Sequence, residues 1–189
     1  MKSLNILLLA GGLLATAAYA DDIQDQIAAN RAAVKECAHT LQSELESAMK
    51  AGGPVNAIGV CNEKAPAIAA DISRKKSWKV SRTSLKTRNP NNAPDAWEKK
   101  VLQDFEKRKA AGEDPAKLEF SGMVTDGGKH ESRYMKAIVI AEGAPCLACH
   151  GSNFAPEVSA KLKSLYPKDQ ATGYKVGDIR GAFSIRQPM

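Results

Sequence analysis

LEFSGMVTDGGKHESRYMKAIVIA, residues Leu118 to Ala141, decides the architecture. Two runs, Leu118 to Thr125 and Glu131 to Ala141, flank Asp126-Gly127-Gly128. Glycines adopt the positive φ angles of a tight turn at no steric cost, so the stretch predicts an antiparallel β-hairpin. Trp78 to Ser84, where Trp78 and Val80 alternate with Lys79 and Ser81, predicts a second strand region. Ala182 to Arg186 predicts a last strand with Phe183 and Ile185 on one face. Strands joined by a hairpin and loops, without regular βαβ alternation, predict an antiparallel sheet in an α+β fold.

Helices account for much of the rest. From Asp22 to Ala51, Ile23, Ile27, Val34, Cys37, Leu41, Leu45 and Met49 recur at three- and four-residue steps, one apolar stripe along one helix. Gly52-Gly53-Pro54 stops it. Val55, Ile58, Cys61, Ala65, Ile68 and Ile72 mark a second helix, and the two predict an antiparallel pair. Pro66 removes the hydrogen bond to the carbonyl of Asn62, which predicts a kink or local distortion beside Cys61. Asp95-Ala96-Trp97-Glu98 reads as a capping box opening a helix that ends at Gly112, with Val101, Leu102 and Phe105 inward. Pro156 to Leu165 predicts a short helix with proline in its first turn. Arg88 to Pro94 and Gly173 to Gly181 are turn-rich.

The returning strand, Tyr134 to Ile140, leads into Pro145-Cys146-Leu147-Ala148-Cys149-His150-Gly151, a C-x-x-C-H motif. Its spacing fits covalent attachment of a c-type haem. Cys146 and Cys149 reach the two vinyl groups of one porphyrin as thioethers, and His150 is then held beneath the ring as proximal iron ligand. Other readings fit less well. A thioredoxin-type motif opens a helix in a βαβ unit, and no helical pattern starts at Cys146. A finger-like zinc site needs a second ligand pair, and there is no second C-x-x-C. A disulfide closing so short a loop is poor.

Met1 to Ala20 has the form of a signal peptide: Lys2, an apolar run from Leu4 to Leu14, and Ala18-Tyr19-Ala20 as an A-x-A cleavage site. A membrane span needs about 18 or more unbroken apolar residues, and this run is shorter. Cleavage after Ala20 leaves residues 21–189 as a single exported domain, expected in the periplasm, where c-type haem is attached. The net charge of the 189-residue chain is +6, falling to +5 once Lys2 is removed. Its basic residues are largely scattered, which reads as a solvated surface or a docking face for an acidic redox partner. Nucleic acid is not a partner for an exported chain.

Four cysteines are present, and the haem motif leaves Cys37 and Cys61. Across a helical pair turning at Gly52-Gly53 they are offset by about 10 Å along the axis. A disulfide needs Cα atoms within about 7 Å, so a Cys37–Cys61 bridge is disfavoured. Each reads as a buried small hydrophobe or as the distal iron ligand.

Several stretches resemble the Tll-like c-type haem domain family, once catalogued as a domain of unknown function. They are Ala57-Ile58-Gly59-Val60-Cys61 with Ala65-Pro66, Arg82-Thr83-Ser84-Leu85-Lys86, Arg88-Asn89-Pro90-Asn91, Ala96-Trp97-Glu98, Arg133-Tyr134-Met135-Lys136, the C-x-x-C-H motif, and Gly177-Asp178-Ile179-Arg180-Gly181. The resemblance implies a PAS-like antiparallel sheet with a long N-terminal helical hairpin packed on it. It also implies one covalent haem c with His/Cys ligation, serving redox or small-ligand sensing. Members often continue into signalling modules; this chain stops after its last strand, so a free-standing protein is expected.

Cys61, in the family-like segment and beside the Pro66 distortion, is the first choice for distal ligand. Cys37 is second and Met135 third, with His39 and His130 as bis-histidine alternatives. A thiolate donates charge to ferric iron and predicts a low potential. Arg82, Arg88, Arg133 and Arg180 are candidates to grip the haem propionates, since a guanidinium binds a carboxylate through two parallel bonds. The function expected is that of a monohaem cytochrome in electron transfer or redox sensing, with a sensor of a diatomic ligand as the alternative. An enzyme such as a di-haem peroxidase would need a second attachment motif.

Overall fold

A computed structural model describes residues 11–189, with side chains from Asp22 onward except that of Asp126. Of the expected signal segment, the first ten residues and all the side chains, and with them the cleavage expected after Ala20, lie outside the described residues. No described helix is long and apolar enough to cross a membrane.

Helix α1, Gly11–Gly59, is two helical arms joined at Gly52 and Gly53, where Gly53 takes φ 67°. A left-handed residue reverses a helix cheaply only when it is glycine. A straight helix would separate Glu44 from Lys64 by about 30 Å; here their side chains meet at 3.6 Å. The antiparallel helical pair expected from the sequence therefore forms. Its returning arm continues through a π-helical turn, Val60–Lys64, into α2, Ala65–Lys76. The distortion expected from Pro66 is thus one turn with an extra residue, and not a kink between two short helices.

Four strands follow: β1 Lys79–Thr83, β2 Glu119–Asp126, β3 Lys129–Val139 and β4 Ile179–Pro188. All pair antiparallel in the order β1-β4-β3-β2. Gly127 and Gly128 turn β2 into β3 with φ 55° and 79°, as the opening stretch requires. Helix α3, Ala96–Ala110, carries the complete Asp95/Glu98 capping box. Two further helices, α4 Leu147–His150 and α5 Pro156–Leu165, lie between β3 and β4. The fold is α+β.

Strand alternation divides the core in two. Val80, Tyr134, Phe183 and Ile185 face the helical pair and pack on Ala33, Val34, Cys37 and Ile72. Met135 and Ala182 face the other way, onto Val101, Leu102 and Phe105 of α3. At one end of this sheet face a gap is left, lined by the helical pair, the end of β3 and the segment after it.

Candidate functional site

In that gap lies a cleft with roughly 1110 Å³ of empty space, part of it open to solvent. Leu41, Leu45 and Met49 of α1 form one wall, with Ala57, Ile58 and Cys61 from the returning arm. Ile138, Val139 and Ile140 supply the sheet side, and Pro145, Cys146, Cys149 and His150 the floor. Its mostly apolar lining, with a few polar and basic groups set into it, suits a large flat ligand.

The motif is a single helical turn with Cys146 as its N-cap, not the non-helical loop expected. One turn of helix places residues three apart on one face, so Cys146 and Cys149 both reach the cleft. Gly151 caps the turn, and a larger residue would not fit there unshifted, because a Cβ would sit 2.7 Å from the carbonyl oxygen of Leu147. The loop before β4 fastens to it: Gly173 N donates to Gly151 O at 2.8 Å and Tyr174 N to His150 O at 3.0 Å. Burial pushes the thiols of Cys146 and Cys149 up, keeping both protonated.

His150 is oriented through its inner nitrogen. Nδ1 lies 2.8 Å from the carbonyl oxygen of Ala171, and Nε of Arg180 lies 3.2 Å from the same nitrogen. Both neighbours cannot be satisfied: the carbonyl needs a proton on Nδ1, the guanidinium needs a lone pair. The shorter carbonyl contact decides it, since Arg180 also donates to Ser84 Oγ at 3.0 Å and Lys86 O at 3.3 Å. Nδ1–H therefore donates to Ala171, and Nε2 keeps its lone pair. Burial, helped by Arg180 and Arg88, pushes the imidazole down to about 3. A neutral imidazole with its far nitrogen anchored is the form that binds metal.

Charge in the cleft is one-sided. Arg82, Arg88 and Arg180 line it, and none of the described lining residues is acidic. Asp169 offsets one of them, its Oδ2 accepting from Arg88 Nε at 2.9 Å in a nearly buried pair. About two positive charges are left over, enough for a dianionic ligand.

Of the residues singled out from sequence, Cys61, Cys146, Cys149, His150, Arg82, Arg88 and Arg180 converge here. Cys37 does not. It is buried between α1, α2 and the sheet, where burial raises its thiol. Met135 is fully buried on the opposite sheet face, against α3. Arg133 is also on that face, paired with Asp95 Oδ2 at 2.6 Å and lying 4.3 Å over the Trp97 ring, so it is no propionate contact. His39 and His130 are exposed, outside the cleft. Tyr166, which also lines it, and the Ala171 carbonyl carried no sequence signal beyond their neighbours.

A family model described as Tll0287-like matches residues 15–188. Among solved structures, the crystal structure of the cyanobacterial heme-protein Tll0287 is similar, with a TM-score of 0.66 and 25% sequence identity, over 87% of this chain and 96% of that one. No curated protein matches the chain. The family match takes in the helical pair, the sheet and the C-x-x-C-H turn that together build the cleft: the chain belongs to the Tll0287-like family.

Proposed function

We propose that this chain binds one haem, held covalently by Cys146 and Cys149, as an exported monohaem c-type cytochrome of the periplasm. The observation that carries the reading is the convergence of both motif thiols, His150 and Cys61 on one apolar cleft with a surplus of arginine. The similar solved structure is that of a heme-protein, which supports the same cofactor. Haem supplies a one-electron couple at iron; the chain's own residues determine where it sits. His150 offers Nε2 from the floor and Cys61 a thiol from the helical wall. Arg82 and Arg180, which line the cleft, would pair with the two haem carboxylates, and the aliphatic side chains of α1 would keep water from one face. Donors so placed suit a redox carrier or redox sensor, whose partner would be a redox protein.

Mass spectrometry of protein exported by a host able to attach c-type haem tests this reading. The cleaved chain should carry the mass of one porphyrin, lost in Cys146→Ser/Cys149→Ser. An unmodified wild-type chain abolishes the proposal. In haem-loaded protein, Cys61→Ala should remove low-spin thiolate EPR signals that Cys37→Ala retains; the converse would reject Cys61 as ligand. A second reading, sensing of a diatomic ligand, is favoured by Cys61 lying in a π turn, a backbone form common at functional sites. Rapid binding of carbon monoxide to the reduced protein would support it, and no binding would favour simple electron transfer.

A further inference from the structure

We propose that Arg88 is a positioning residue that sets the reduction potential of the bound haem by competing with His150 for the carbonyl of Ala171. The inference rests on the haem reading above and extends it to a residue that is not an iron ligand.

Arg88 lies in the irregular segment between β1 and α3, and its side chain is only 7% exposed. Nε is committed to Asp169 at 2.9 Å. Nη2 donates to two carbonyl oxygens, Cys149 at 2.5 Å and Ala171 at 3.2 Å. The Ala171 oxygen is also the acceptor for His150 Nδ1–H. A carbonyl has two lone pairs, and both are in use. The oxygen cannot turn away. Ala171 N donates to Asp169 Oδ1 at 2.8 Å, and Gly173 and Tyr174 are bonded to the motif just beyond.

A guanidinium is the stronger donor of the two. By drawing density from the shared oxygen it weakens the bond from Nδ1–H, which lowers the basicity of the imidazole at Nε2. A less basic axial ligand favours ferrous over ferric iron, and the nearby positive charge acts in the same direction. Asp169 moderates both effects. Arg88 therefore raises a potential that thiolate ligation would set low, and Asp169 limits the rise.

The test is a redox titration of the haem-loaded protein, together with the NMR resonance of the His150 Nδ1 proton in the reduced, diamagnetic form. Arg88→Gln should lower the midpoint potential and move that proton downfield as its bond to Ala171 tightens. Asp169→Asn keeps an acceptor for Ala171 N but removes the compensating charge, so both readouts should move the opposite way. It also serves should Arg88→Gln fail to fold. Wild-type potentials in the variants overturn the proposal, as does a shifted potential with the proton unmoved. Wild-type protein found by mass to lack porphyrin would defeat the cytochrome reading first, and this inference with it.

Discussion

At the scale of single residues, the close approaches around the cleft allow sharp tests. Gly181 of β4 lies beside β1 so tightly that a Cβ would fall 2.3 Å from the backbone oxygen of Thr83. Backbone cannot yield as a side chain can, so Gly181→Ala should cost about 2–3 kcal/mol and lower the midpoint of thermal unfolding. Gly59 is the control. It is helical with nothing within 4 Å of an added Cβ, and Gly59→Ala should stabilise by about 0.5–1 kcal/mol. Glu119 gives a pH-dependent case. Hydrogen bonding to Arg31, then to the Tyr134 hydroxyl at 2.6 Å, lowers its carboxyl from 4.5 to about 2. A carboxyl whose folded value lies below its unfolded one stabilises fully above the unfolded value and loses that contribution as pH falls through the folded one. Glu119→Gln should cost on the order of 1 kcal/mol at pH 7. It should also flatten the loss of stability between about pH 4.5 and 2, as followed by urea unfolding. An unchanged acid limb would refute the assignment.

Among the elements, α3 depends on one side chain with two duties. Asp95 caps the helix, accepting from Glu98 N at 2.7 Å, and its Oδ2 also holds Arg133 and Arg186 against the sheet. Its capping box was legible in the sequence; the ion pairs were not, because they join residues far apart in the chain. Asp95→Asn keeps a capping oxygen and loses the charge, whereas Asp95→Ala loses both. The alanine variant should be less stable than the asparagine variant by about 1 kcal/mol in chemical denaturation, and equal stabilities would show the cap to be idle. The same limit explains Arg133 and Met135. In a strand of period two they share a parity opposite to that of Tyr134 and Ile138, and the helical pair packs on the latter set. Parity could be read along β3, but not which parity faced the cleft.

For the whole molecule, the cleft lies where three parts meet: the helical pair, the sheet end and the motif turn. Anything bound there stabilises the folded chain by mass action or, when covalent, by permanent occupancy. Cys146→Ser/Cys149→Ser protein should therefore unfold several degrees below haem-loaded wild type, with amide hydrogen exchange fastest in residues 41–64 and 145–154. Equal thermal midpoints would mean that the cleft is rigid without its ligand. Phe105→Ala, fully buried against α3's own side of the sheet, should cost about 3–5 kcal/mol yet leave the haem spectrum unaltered, since its cluster does not line the cleft.

Local chemistry was written plainly in the chain. The Asp-Gly-Gly turn, the Gly-Gly-Pro break, the capping box and the C-x-x-C-H spacing each act over a few neighbouring residues, so sequence alone determined the hairpins, the α3 start and the close spacing of two thiols and an imidazole. It also placed a distortion beside Cys61, because proline's missing N–H is a local fact. Tertiary structure decided the rest. Cys61 and Cys37 sit on similar apolar stripes, and only the packing of the helical pair on the sheet turns one toward the cleft and buries the other. Arg82, Arg88 and Arg133 look alike in sequence; their surroundings separate a cation lining the cleft, one bonded to the Cys149 and Ala171 carbonyls, and an ion-pair partner of α3. Such distinctions depend on contacts between residues distant in the chain, and those contacts exist only once the fold has closed.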